Sequence, residues 1–291
     1  MKHMDRQRGL ALVLALLVVA IVAALALLFV QRQQLWMRQL KHRAGFSSAT
    51  TAVFVSIDMV RLTLRDDARK NQVDHMLEPW TIPIPPIAIE EGRVSGQIVE
   101  QQGRYNLTNL LPAQGAKIDE AAVQRAANGL GVNASLLTRV LTAWQDLRKR
   151  EPGAEPELME LLEIVRPSSE DSQRLQRHVV LLPERTQLNV NFATAEALMA
   201  TIPGLNSSDA SSILSRRTGN PFRSVAAFTA VLPESLRQQA TAFVSVQSRY
   251  FLVEVQARFD RVQLGYEALL RRDGRDLPVL LWARRAAPAD N

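Results

Sequence analysis

Leu10–Val30 reads LALVLALLVVAIVAALALLFV, and every one of its 21 residues is apolar. At about 1.5 Å of rise per residue, a helix of that length spans roughly 30 Å, the thickness of a bilayer's hydrocarbon core. A helix on the surface of a soluble domain keeps a polar face, and this one has none. The stretch is read as a membrane span. It is too long for the apolar region of a secretory signal, and Gln31-Arg32-Gln33-Gln34-Leu35-Trp36 after it offers no small-x-small cleavage site. Charge does not orient it. Lys2, Arg6 and Arg8 lie before the span, and Arg32, Arg38, Lys41 and Arg43 lie after it.

The junction is more informative. Arg8-Gly9 stands directly before the first apolar residue. This resembles the class III leader of type IV pilins and pseudopilins. The resemblance implies a prepilin peptidase that cuts between Gly9 and Leu10, an N-methylated Leu10 as the new terminus, and an apolar helix that stays on the mature chain. The alternative is a plain single-pass anchor with an incidental glycine. Most pilins and pseudopilins carry Glu at the fifth mature position. There a carboxylate, costly in lipid, can pair with a neighbouring subunit's terminal ammonium. Here that position is Leu14. A subunit without the carboxylate suits a place with nothing ahead of it, the filament tip. Loss of this Glu is typical of the general secretion pathway protein K family of type II secretion.

The 291 residues, 47% of them apolar, suffice for a sizeable core beyond the span. The formal net charge is +6, of which residues 1–9 hold +2, leaving a mild +4 on a processed chain. No cysteine is present, which excludes disulfides, thiolate zinc sites and cysteine nucleophiles. Four scattered histidines have no metal-ligand spacing. No G-x-S-x-G, Walker loop, dinucleotide loop or His-Glu-x-x-His occurs, and the chain is read as a non-enzyme. Glu151, Glu155, Glu157, Glu160 and Glu163 are read as a solvated acidic face.

Along the chain, 1–9 is the leader and 10–30 the transmembrane part of the first helix. Residues 31–70 continue that helix, with Leu40, Ala44, Ala52, Val53, Ile57, Val60, Leu64 and Ala68 as an apolar stripe. Pro79, Pro83, Pro85 and Pro86 end helical structure and make an extended stretch. A strand over 93–102 and a short one after Gly103 follow. Residues 31–108 thus give the helix and first strands of an α/β unit. Residues 109–240 are helical, with candidate helices at 119–129, 133–149, 156–165 and 168–178. Asp119, Asn133 and Ser168 stand at N-cap positions, and Gly131 and Gly153 mark ends. Gln187–Phe192 is a short extended break, followed by helices at 194–200, 208–217, 223–231 and 234–239. In 241–291 the period returns to two: 242–247, 251–259 and 261–271 read as strands, with Arg272-Asp273-Gly274-Arg275 as a hairpin turn and a further strand from Pro278. The fold class is α+β: a long N-terminal helix on an antiparallel sheet, with a large all-α domain inserted.

The order resembles the protein K family across nearly the whole chain. The resemblance rests on Glu78-Pro79-Trp80, Gly103-Arg104-Tyr105-Asn106-Leu107, Leu188-Asn189-Val190-Asn191, Ile202-Pro203-Gly204-Leu205 and Arg249-Tyr250-Phe251. The family's usual Asp three residues before the first of those glycines is Glu100 here. The resemblance implies a pseudopilin fold and a minor pseudopilin that caps the pseudopilus tip and helps initiate its assembly. It also implies partners among the I- and J-type minor pseudopilins and the major pseudopilin, with an inner-membrane anchor and the bulk of the chain in the periplasm. No cofactor is certain. Some members bind calcium in the helical insert, which leaves calcium open with no ligand positions assigned.

One rival comes from another class. Residues 187–232 look like a helix-hairpin-helix, a module that presents backbone N–H groups to a DNA phosphate behind the membrane anchor of competence receptors. The hairpin is Pro203-Gly204-Leu205-Asn206, with Asn in place of the second Gly and Asp209 where a phosphate would sit. Basic residues nearby are few, namely Arg216, Arg217 and Arg223. No nucleic acid is expected. Leu198, Ile202, Leu205, Ile213 and Leu214 read as a small core.

Overall fold

The computed structural model describes residues 4–89, 92–112, 117–151 and 156–287, with side chains from Leu14 onward. One helix, α1, runs from Met4 to Lys70. Its first part is bare, and from Leu14 to Leu40 every large apolar side chain stands exposed. The packed stripe then comprises Ala49, Val53, Ile57, Val60 and Leu64 at three- and four-residue steps. Leu40 and Ala44, expected in that stripe, are exposed, and Ala49 takes part instead. The sheet does not reach far enough to cover them. Its lower end meets α1 at Gly45, where an added Cβ would come within 3.3 Å of the Phe259 carbonyl oxygen.

The sheet is fully antiparallel, in the order β1 (Ile84–Ile89), β2 (Gly92–Glu100), β7 (Tyr250–Phe259), β8 (Val262–Arg271), β9 (Val279–Ala286). β2 pairs with β7 from Gly92 opposite Phe259 to Glu100 opposite Phe251, so the sheet closes across everything between. Alternate residues point to opposite faces. Phe251, Val253, Val255, Ala257 and Phe259 face α1 with Val94 and Ile98 of β2. Burying each large apolar side chain contributes about 1.5–3 kcal/mol. The β7–β8 turn is tight, with Asp260 at φ 51°, and β8 leads to β9 through Gly274 at φ 65°. β1 includes Pro85 and Pro86, which the edge of a sheet tolerates because one side of the strand needs no N–H donor. Glu78-Pro79-Trp80 is not extended: Pro79–Thr81 is a 3₁₀ turn that buries Trp80.

Between β2 and β7 lies the helical block. Its helices are α2 (Glu120–Leu130), α3 (Ala134–Arg150), α4 (Leu158–Val165), α5 (Ser169–His178), α6 (Ala195–Thr201), α7 (Ser207–Arg217), α8 (Val225–Thr229) and α9 (Glu234–Ala240). Asp119, Asn133 and Ser168 cap α2, α3 and α5 with their side chains, and Gly131 ends α2 at φ 67°. Gly153 and Glu155 lie outside the described residues. Two small parallel ladders tie the block together. β3 (Tyr105–Asn106) pairs with β4 (Val179–Val180), and β5 (Leu188–Asn189) with β6 (Val244–Ser245). The segment 242–247, expected as a strand of the terminal sheet, therefore supplies two residues that pair with Leu188–Asn189. Val244 and Val246 belong to the helical core.

Candidate functional site: a buried polar junction and two exposed surfaces

The α/β part and the helical block meet around a set of buried polar side chains. Asp74, just past α1, lies against Arg272 at the end of β8: the guanidinium Nη2 is 2.6 and 2.5 Å from the two carboxylate oxygens. Nη1 of Arg272 reaches Asp67 at 3.3 Å, and Nη2 also donates to the Ser248 carbonyl at 2.9 Å. The Arg272 guanidinium stands over the Phe251 ring at 4.7 Å. Asp74 accepts a further bond from the Ser248 N–H at 2.6 Å. Glu78 accepts from Asn71 Nδ2 at 2.7 Å and from the His75 N–H at 2.9 Å.

Glu100 holds the other side. It accepts from the N–H groups of Gln102 and Gly103, each at 2.7 Å, and from Ser248 Oγ at 2.5 Å. This closes the turn that leaves β2. Glu serves here as the shorter Asp would, because both carboxylate oxygens still reach the turn N–H groups. Burial pushes Glu78 and Glu100 each up to about 7, and burial together with the neighbouring Asp74 raises Asp67.

Asn189 and Asn191 complete the set. Asn189 Nδ2 donates to Ser248 Oγ at 2.7 Å, and Asn191 exchanges bonds with the Phe222 backbone, 3.0 Å to its carbonyl and 2.8 Å from its N–H. Trp80 stacks on Phe192 at 5.7 Å and meets Phe251 edge-on at 5.4 Å. Tyr250 donates its hydroxyl to Glu184 at 2.8 Å. The dispersed sequence motifs Glu78-Trp80, Glu100-Gly103, Asn189-Asn191 and Tyr250-Phe251 thus converge on one place. Arg272, Asp67 and Asp74 were not singled out by sequence. Arg272 read as a turn residue, and its partners lie 205 and 198 positions away.

Asp67, Asp74 and Glu78 bring ligand atoms within 4.8 Å of one another. They do not fit a resident cation, because the Arg272 guanidinium already supplies the positive charge and Asn71, His75 and Ser248 take the lone pairs. The chemistry is that of a locked joint rather than a catalytic pair.

The hairpin expected to resemble a DNA module is structural in its contacts. Gly204 takes φ 86°, and Asn206 caps α7 by accepting from the Asp209 N–H, with its own Nδ2 2.9 Å from the Asp209 carboxylate. The helix terminus that would meet a phosphate is filled by an anion of its own chain. Arg217 turns inward and donates to the carbonyls of Val190 and Ala193, each at 2.7 Å. Leu198, Ile202, Leu205 and Ile213 are buried, with Leu214 packed against them.

Two surfaces remain exposed. One is the membrane part of α1, in which the Gly9–Leu10 peptide lies inside continuous helix and Leu14 is 54% exposed. The other is an apolar face beside the β1 edge, where Val55, Met59, Ile82, Ile84 and Ile87 surround a cavity of about 420 Å³. A patch of that kind marks an interaction surface.

A helix long and apolar enough to cross a membrane, continued without a break as the packing helix of an antiparallel sheet, defines a membrane-anchored subunit of the pilin type. The model for type II secretion system protein K matches residues 188–247. Two curated relatives, each named type II secretion system protein K, match nearly end to end. The protein from Pseudomonas aeruginosa is 28% identical over 96% of this chain and 92% of its own, and that from Klebsiella pneumoniae 26% over 94% and 95%. In the solved structure of the GspK-GspI-GspJ complex from enterotoxigenic Escherichia coli, one chain superposes with a TM-score of 0.68 at 17% identity, covering 85% of this chain and 99% of that one. Over nearly its whole length the chain is similar to type II secretion system protein K.

Proposed function

We propose that this chain is a minor pseudopilin that ends the pseudopilus of a type II secretion system and helps start its assembly. The observation that carries the reading is the single helix α1, bare over its apolar first part with Leu14 exposed, and packed on the sheet only from Gly45 on. Its role is assembly, not catalysis. The peptidase cuts between Gly9 and Leu10, Leu10 becomes the N-methylated terminus, and the anchor holds the protein in the inner membrane with its bulk in the periplasm. Residues 31–108 and 241–291 form the pilin-like part, and 109–240 form a cap too bulky for another subunit to pass.

The GspK-GspI-GspJ make-up of the solved complex supports I- and J-type minor pseudopilins as the neighbours. In this chain the apolar face around Val55, Met59 and Ile82 is the surface suited to a neighbour's helix. Leu14 fits the terminal position, since a subunit with nothing ahead of it has no ammonium to neutralise. The test is the intact mass of the protein extracted from its host's membranes. A chain that begins at methylated Leu10 is expected, and one that retains Met1 would replace the reading with a plain single-pass anchor.

A further inference from the structure

On the face of the sheet turned away from α1, a cleft of about 700 Å³ separates β2, β7 and β8 from α3, α4 and the β4 segment. That volume lies in the range of roughly 300–1,000 Å³ typical of ligand sites. Its floor is partly apolar, with Val99, Leu252 and Leu269, and Trp144 and Trp282 stand in its walls.

The charges in it do not balance. Two of its carboxylates are paired, Arg284 joining Glu157 on the helical side to Glu267 on β8, at 2.7 Å from the latter, while Glu254 accepts from the neutral Gln97 Nε2 at 2.6 Å and keeps its charge. Three lining guanidiniums, those of Arg104, Arg148 and Arg177, have no carboxylate in ion-pair contact among the described residues. Arg148 and Arg177 are exposed at the rim, and Arg148 stacks on Trp144 at 4.9 Å. Arg104 is drawn inward and bonds only neutral oxygens, the Gln101 side chain and the Gln176 carbonyl at 3.5 Å. Burial lowers its pKa. Glu254 and Glu100 lie near enough to favour its charged form but make no ion-pair contact with it, so the half-buried guanidinium keeps donors for a further anion. Its planar fork matches a carboxylate bidentately.

We propose that this cleft binds a carboxylate-bearing polypeptide segment of a partner protein, with Arg104 receiving a carboxylate and the apolar floor and tryptophans receiving the residues between. A peptide, rather than a small free anion, matches a site where cations alternate with apolar ground. The inference is independent of the processing of Leu10, which tests the assembly reading separately.

The experiment is calorimetric titration of the full-length, detergent-solubilised protein with the blocked pentapeptide Glu-Leu-Glu-Leu-Glu, its Gln-Leu-Gln-Leu-Gln counterpart, and inorganic phosphate. The acidic peptide is expected to bind at least tenfold more tightly than the neutral one, and Arg104→Gln to lose at least tenfold with an unchanged melting temperature. If Arg104→Gln does not fold, the Arg148→Gln/Arg177→Gln double variant replaces it, since both side chains lie on the surface; a threefold or greater loss is expected. No binding at about 1 mM peptide, equal binding of the neutral peptide, displacement by equimolar phosphate, or a folded variant that binds as wild type would each overturn the proposal.

Discussion

Arg272 holds Asp74 through two short contacts, 2.6 and 2.5 Å, between residues 198 positions apart in sequence. One residue ends β8 and the other follows α1, so the pair fastens the membrane-derived helix to the far end of the sheet. Removing the cation strands Asp74 and Asp67 in the interior. Breaking a buried pair from one side costs about 3–5 kcal/mol. Arg272→Ala is expected to lower the unfolding free energy by that much, and Arg272→Lys to recover only part, because a point charge cannot bond both Asp74 oxygens and Asp67 together. Chemical denaturation followed by tryptophan fluorescence checks it, and a wild-type midpoint for Arg272→Ala would remove the lock from the account.

The same junction gives a pH signature. Glu78 and Glu100 titrate near 7 when folded, against 4.5 for the free side chain. Between those values the folded chain retains protons that the unfolded chain has released. Their stabilising contribution is complete below about pH 4.5 and is lost as pH rises through about 7. His75 and His178 are lowered by burial and act in the opposite direction across the same window. The comparison with Glu78→Gln therefore isolates the carboxyl. The variant's melting temperature is expected to rise relative to wild type by on the order of 5 °C between pH 5.5 and 8. A difference that stays constant over that range would show that Glu78 does not titrate there.

Close packing of α2 on α6 offers a third test. A Cβ placed on Gly129 would fall 2.2 Å from the Ala200 backbone nitrogen and 2.4 Å from its Cα. Neither atom can move without shifting α6, so Gly129→Ala is expected to cost roughly 1–3 kcal/mol despite its favourable helix propensity. Gly219, where an added Cβ meets nothing within 4 Å but φ is 75°, is the control. Gly219→Ala should cost only the backbone strain of about 1–2 kcal/mol. Equal stability of Gly129→Ala and wild type would mean that the two helices lie further apart.

For the hairpin at Pro203–Asn206 the expectation concerns both stability and DNA. Asn206→Ala should cost about 1 kcal/mol as a lost N-cap. Neither it nor the wild type should shift duplex DNA at micromolar protein and physiological salt. A salt-sensitive shift abolished by Arg216→Gln would move function to that module.

Much of this was legible in the sequence for local reasons. Leu10–Val30 declares itself by composition alone. Asp119, Asn133 and Ser168 could be placed because a cap is a bond between a side chain and N–H groups two or three residues on. The long strands at 251–259 and 261–271 show their period. What escaped was short or distant. Val179–Val180 and Val244–Ser245 are two-residue strands and have no period to read. The cleft that holds Arg104 and the Arg272–Asp74 pair exist only once the chain has folded back across the block. Leu40 and Ala44 fit the stripe, but the sheet ends short of them.

The claim on which the account rests is that this subunit ends the filament. The chain has no cysteine, so Lys149→Cys, a side chain 75% exposed on α3, gives one labelling position. Gold coupled there, viewed by electron microscopy on pseudopili sheared from the native host, should mark one end of each fibre and nothing between. Particles spaced along the shaft would contradict it.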